Sequence, residues 1–279
     1  MSNTDLELAE SRSQDELRLR RKVHDHGPSI ASRPFAGRIG GNQEFILNPS
    51  DASFVSTVQN LPDAGAAFTW KQSFSLRGFT DVELWKESFL EGIGTCLQIY
   101  LSGLAAIGLG DSAMNTSLGP VTPAAFGAIT NVFLITLFVY AGGPVSGGHF
   151  NPLITMSTFF ARLAIFPRAI LYVLFQCTGS VIAGFLIRAS LGRPPASFRA
   201  VPGCYIDPLL VSPGQAYVSH KNIISITLTV LSYVLETMTS FALLFIAFGV
   251  GLDPRQRQVF GPALSPFLVC FAYLLQMHY

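Results

Sequence analysis

Hydrophobic positions along this chain fall into two regimes. Up to about residue 85 they are scattered among Ser, Asn, Gln, Asp and Arg, with no sustained helical or strand periodicity. Beyond it they merge into long runs. Five runs approach the roughly 20 residues that a helix needs to cross the hydrocarbon core: residues 89–109, 123–142, 168–189, 223–250 and 262–279, the last barely long enough. Each is rich in Leu, Ile, Phe, Ala and Gly and is bounded by Pro, Gly, Asp or Arg. They show almost none of the polar faces that helices of a water-soluble core carry. The pattern predicts a disordered tail over residues 1–85 and an all-α membrane domain over 86–279.

Between the second and third runs lies Gly142-Gly143-Pro144-Val145-Ser146-Gly147-Gly148-His149-Phe150-Asn151-Pro152, followed by an apolar stretch, 153–160, too short to span. Asn151 suits a helix cap and Pro152 the first helical position. The segment reads either as an ordinary loop or as a re-entrant half-helix. The second reading requires its irregular backbone to face protein or water and never lipid.

Charge then adds orientation. Lys71, Arg77 and Lys86 precede the first run, Arg162 and Arg168 separate the second from the third, and Arg255 and Arg257 separate the fourth from the fifth. No Lys or Arg follows the first run directly, so the N-terminus is expected on the cytoplasmic side. The tail's basic cluster, Arg18, Arg20, Arg21 and Lys22, precedes polar sequence and so is not a signal peptide. A solvated cluster and a contact with anionic headgroups are both open to it.

A weak internal repeat is present. Leu90-Glu91 followed by Gly92, Gly94 and Thr95 is echoed by Leu235-Glu236 followed by Thr237, Thr239 and Ser240. Gly119-Pro120 and Pro123 are echoed by Gly261-Pro262 and Pro266. Three spans per unit make the second copy inverted, an arrangement frequent in pores and transporters. Asn151 follows Pro120 by 31 residues, so its counterpart is expected at position 293, beyond Tyr279. The predicted bundle therefore has five spans and one half-helix, with its second half incomplete.

Composition agrees with membrane burial. Only 13% of residues are charged, and of the 35 Asp, Glu, Lys and Arg residues 22 precede Phe89; soluble proteins average about 25% charged. A net charge of +1 gives no reason to expect nucleic acid. Cys96, Cys177 and Cys270 fall in apolar runs and read as inert thiols, with Cys204 in a polar stretch. No nucleophile, metal cluster or phosphate loop is evident, so neither an enzyme nor a cofactor is expected.

Ser146-Gly147-Gly148-His149-Phe150-Asn151-Pro152 resembles the signature loop of the aquaporin (major intrinsic protein) family. Glu91 with Gly94-Thr95, Gln176 with Gly179, and Glu236 match other features of that family. Arg33-Pro34-Phe35-Ala36-Gly37-Arg38 and Asp253-Pro254-Arg255-Gln256 are similar to filamentous-fungal members. Two departures stand out: Leu153 replaces the family's alanine after Asn-Pro, and the second Asn-Pro-Ala with its arginine is missing, as is the last helix.

The resemblance implies a channel for passive flow of water or small neutral solutes such as glycerol, impaired in a chain truncated in this way. It implies an aquaporin-like inverted-repeat bundle in contact with membrane lipid, and a homo- or hetero-oligomer, typically a tetramer. The location implied is a membrane, the plasma membrane ahead of the vacuolar one. Asn151 would donate to permeating solute, the Gly147, Gly148 and His149 carbonyls would accept from it, and the His149 ring is either pore-facing or structural. Asn131 would stand at the constriction or else bond a neighbouring helix. Glu91, Glu236 and Gln176 would hold the re-entrant loops and Pro152 would open the half-helix. Rival readings are a non-conducting protein that associates with full-length channels and, third, an ion- or proton-coupled transporter.

Overall fold

A computed structural model describes residues 33–39, 54–66, 68–110, 121–192 and 223–273. In chain order the helices are α1 (Phe54–Asn60), α2 (Trp70–Ser73), α3 (Val82–Gly110), α4 (Val121–Ser146), α5 (Pro152–Phe160), α6 (Phe166–Leu191), α7 (Ile223–Ala247) and α8 (Arg257–Ala272). Single 3₁₀ turns at Pro62–Ala64, Leu76–Thr80 and Pro254–Gln256 join them, and α7 continues through a π turn, Phe248–Leu252. No strand occurs among the described residues. The chain is an all-α membrane protein.

Local chemistry sets the helix ends. Asp81 opens α3 by accepting from the Glu83 amide at 3.1 Å, the bond of an N-cap carboxylate. Pro167 occupies the first turn of α6, and Gly192, at φ 56°, closes that helix by donating to the Arg188 carbonyl at 3.2 Å. A left-handed glycine is a common helix stop.

Three described helices are long and apolar enough to cross a membrane, at residues 82–109, 125–146 and 166–191. Their outward faces carry large apolar side chains, including Phe89, Phe133, Leu137 and Phe185, the last 67% exposed. Water would not tolerate an apolar surface of that extent, whereas lipid matches it. The fourth and fifth expected spans correspond to α7 and α8. Their described apolar stretches are shorter, at residues 236–252 and 263–272.

Helices α3 and α6 cross closely because both present glycine. A Cβ on Gly179 would lie 2.2 Å from the Gly92 carbonyl oxygen, so any side chain there would push the backbones apart. Small residues at a crossing allow close packing where the lipid gives no hydrophobic drive. The central core joins Ile135 and Val139 of α4, Ile154 of α5, Leu243 and Ala247 of α7, and Val269 of α8.

The expected disorder of residues 1–85 does not hold for two parts of that region. Residues 33–39 form a strap that is buried except at Pro34. Residues 54–66 and 68–80 form short helical turns, with Trp70, Phe74 and Phe79 packing on Phe159 and Phe166 beside the membrane domain. The strap has no regular hydrophobic period, because its groups reach distant partners such as Asp63 and Gly147, and the turns of the second part are each too short to show one. The cluster from Arg18 to Lys22, Cys204 and position 120 lie outside the described residues.

Candidate functional site: a re-entrant half-helix held by a buried carboxylate

Helix α4 runs through Gly142, Gly143 and Pro144 to Ser146, and the chain then turns sharply into α5. The turn has positive φ at Gly147 (100°), Gly148 (73°) and Phe150 (44°). This backbone directs consecutive amides at one acceptor, a concavity suited to an anion. That anion is Glu91 of α3, fully buried. Its Oε1 accepts from the His149 amide at 3.1 Å and from the Ser146 hydroxyl at 2.5 Å. Its Oε2 accepts from the Phe150 amide at 2.6 Å and from Gln176 Nε2 at 2.9 Å. A carboxylate inside a membrane is costly unless it is paired in this way.

Gln176 ties the loop to α6 and to the half-helix itself, donating to Thr155 Oγ1 at 3.0 Å. His149 is closed on both sides. Its Nε2 lies 2.7 Å from the Gly37 carbonyl, which can only accept, so Nε2 carries the proton. Nδ1 is then the acceptor for the Thr155 hydroxyl at 3.1 Å, a tautomer assigned from the network. The His149 ring is thus held through both nitrogens by Gly37 and Thr155.

Asn151 caps α5. Its Oδ1 accepts from the Leu153 amide at 2.8 Å, and Pro152 fills the first helical position. The same side chain meets the Tyr273 hydroxyl beyond the end of α8. Leu153 packs at the margin of the central core.

Asn131, Gly147 and Glu236 have other surroundings. Asn131 accepts from the Ser102 hydroxyl at 2.7 Å and so stitches α4 to α3. A polar side chain between apolar helices takes the nearest partner, which draws Asn131 toward this seam. The Gly147 carbonyl, expected to face solute, accepts from the Ile39 amide at 3.0 Å. Glu236 is exposed on α7, and no second re-entrant turn for it to hold occurs among the described residues. Gly148 is buried beside Val139 and Gly143, with its amide donating to Ser146 Oγ at 3.2 Å.

Beneath the loop lies an ion cluster that sequence reasoning missed. Arg168, at the start of α6, donates to Asp63 Oδ2 at 2.6 Å, to Glu87 Oε2 at 2.5 Å and to the Tyr172 hydroxyl at 2.8 Å. Tyr172 in turn donates to the Ser146 carbonyl at 2.7 Å. Arg33 pairs with Asp81. Burial draws the Arg38 guanidinium down to about 10 from its usual 12.5, against the opposing pull of Glu87. The excess of basic residues near the span ends is the only sequence signal that pointed here. It gave no hint that Arg168 would be buried.

A carboxylate-anchored half-helix entering a helical bundle defines a class: polytopic membrane proteins with a re-entrant half-helix. The pattern of the family described as "Major intrinsic protein" matches residues 78–279. The chain belongs to the major intrinsic protein family. It is 28% identical over 191 residues to Aquaporin TIP1-1 of Zea mays, covering 67% of this chain and 64% of that protein. It is 30% identical over 193 residues to Probable aquaporin PIP2-7 of Oryza sativa subsp. japonica, covering 68% and 59%. It is 33% identical over 191 residues to Aquaporin PIP2-1 of Arabidopsis thaliana, covering 66% and 60%. The chain thus spans less than two thirds of the length of these relatives.

Proposed function

We propose that this protein is a channel for passive movement of water or small uncharged solutes such as glycerol. The observation that carries the reading is the capture of the adjacent His149 and Phe150 amides by Glu91. That capture fixes Asn151 at the mouth of α5, where its amide NH₂, in this structure against the Tyr273 hydroxyl, becomes a donor to solute when that hydroxyl gives way. The N-terminus of the half-helix adds a positive end-potential that disfavours cations and protons. The relatives named aquaporin support the same reading. The test is stopped-flow light scattering of proteoliposomes in water and glycerol gradients, with a pH-sensitive dye inside. Faster osmotic shrinkage without dye response supports the channel. A dye response that tracks solute uptake would instead mark a proton-coupled transporter.

A second reading, association with related channel subunits, is favoured by Glu236. This carboxylate is exposed on α7 beside the exposed apolar side chains of Val234 and Met238. In lipid such a group needs a partner. Cross-linking from position 236 in native membranes, with the adducts sized, tests it; no adduct would remove the reading.

A further inference from the structure

The end of the bundle where α3 and α6 begin and α5 finishes carries a continuous rim of rings. Trp70 meets Phe74 and Phe159, Phe74 meets Phe166, and Phe166 meets Phe79. The Trp85 indole donates to the Phe79 carbonyl at 2.9 Å, and its ring meets Phe175, which also meets Phe89. Phe89 is exposed on α3, so the rim runs without a break into the lipid-facing surface of the spans. Much of the rim is open, with Trp70 45% and Leu76 65% exposed and Phe74 and Trp85 exposed between them. An apolar patch of this kind marks a contact surface, and indole rings concentrate where hydrocarbon meets headgroups.

Charge at the same end is out of balance. Each carboxylate described there already has a cation: Asp81 has Arg33, Glu83 has Lys86, and Asp63 and Glu87 share Arg168. Lys71, next to Trp70, and Arg77, next to Leu76, are exposed, and neither pairs with a carboxylate among the described residues. Their backbone is set by local bonds. The Thr69 amide donates to Gln72 Oε1 at 2.8 Å and the Gln72 amide to Thr69 Oγ1 at 3.3 Å, while the Thr80 hydroxyl donates to the Arg77 carbonyl at 2.8 Å. Two unpaired cations along an apolar rim match one kind of ligand, an anionic headgroup whose acyl chains lie against the rings.

We propose that residues 69–85 form a foot in the headgroup layer that binds an anionic phospholipid. Lys71 and Arg77 take the headgroup, and Trp70, Phe74, Leu76 and Trp85 take the upper acyl chains. Phe159, in the last turn of α5, belongs to the same rim, so the seated lipid also braces the end of the half-helix. The site is independent of conduction. The chain's two tryptophans, Trp70 and Trp85, both lie in the rim, so their fluorescence reads lipid contact without a label. The full chain is reconstituted in phosphatidylcholine vesicles holding a fixed fraction of phosphatidylserine or phosphatidylcholine brominated near the carbonyl end of one acyl chain. Quenching of Trp70 is followed in the Trp85→Phe protein, with and without Lys71→Gln/Arg77→Gln. A cation near an anionic surface strengthens association about fivefold, so two predict a preference for the serine lipid of at least severalfold. That preference should weaken with salt and vanish in the double variant. Equal quenching by the two lipids would overturn the anionic site. No quenching by either would show Trp70 covered by protein, a second copy included, and overturn the foot. A preference that survives the double variant would overturn the roles of Lys71 and Arg77. A preference abolished by inorganic phosphate, but not by chloride at equal ionic strength, would mark a site for free phosphate and overturn the lipid. If Trp85→Phe fails to fold, the protein with both tryptophans gives the same comparison.

Discussion

Replacing Glu91 with alanine removes the acceptor of four donors at once. Two of them have alternatives: the Ser146 hydroxyl can turn to the Gly142 carbonyl at 3.3 Å, and Gln176 Nε2 already meets Thr155 at 3.0 Å. The His149 and Phe150 amides have none, because their direction is set by the backbone of the turn. A buried donor left unpaired costs about 1–3 kcal/mol, so Glu91→Ala should cost roughly 2–6 kcal/mol. Glu91→Gln keeps one accepting oxygen and presents an NH₂ in place of the other. With the NH₂ at the Oε1 position, Ser146 can reverse to accept, and only the His149 amide is stranded. The expected cost is then about 1–3 kcal/mol. Equilibrium unfolding in detergent, read by tryptophan fluorescence, measures both, and exchange of the His149 and Phe150 amides shows where the loss falls. Equal costs for the two variants, or unchanged exchange at both amides, would refute the acceptor role.

Arg168→Ala should destabilise by about 3–5 kcal/mol, since Asp63 and Glu87 would be left as buried carboxylates without their shared cation; chemical denaturation checks it. Gly179→Ala places a Cβ 2.2 Å from the Gly92 oxygen and should cost about 1–3 kcal/mol through separation of α3 and α6, visible as a lower thermal midpoint. Hydrogen bonds from Arg255 hold the Asp253 carboxyl below its usual 3.8. A depressed carboxyl pKa contributes order above 3.8 that is lost as pH falls through the lower folded value. Protection of the Arg255 amide, corrected for intrinsic exchange, should therefore fall on acidification below 3.8, and Asp253→Asn should remove that dependence.

The long apolar runs were legible because lipid exposure leaves no polar face to confuse the period, and α3, α4 and α6 extend each run by a few residues at its ends. The half-helix was legible from Asn151 and Pro152, whose capping chemistry is local. Bonds made over 100 residues were not legible. Nothing near Arg38 in sequence announces the Gly143 carbonyl, and nothing near His149 announces Gly37. The strap lacks periodicity because its groups are satisfied across the fold, so its sequence reads like that of a solvated tail. Asn131 illustrates another limit: sequence left a constriction and a bond to a neighbouring helix both open, and only the fold shows that a hydroxyl on the adjacent helix lies within reach.

The central claim is that Asn151 at the head of a carboxylate-held half-helix lines a conducting path, and Asn151→Asp tests it most directly. Aspartate keeps the oxygen that caps Leu153 but loses the NH₂ donor and adds charge, so α5 should form while solute loses its donor. The measurement is osmotic shrinkage of proteoliposomes holding the protein with and without Asn151→Asp, matched for protein content and unfolding midpoint. Shrinkage well above the empty-vesicle rate that falls toward it with aspartate is the predicted result. Equal rates in the two preparations would contradict the account.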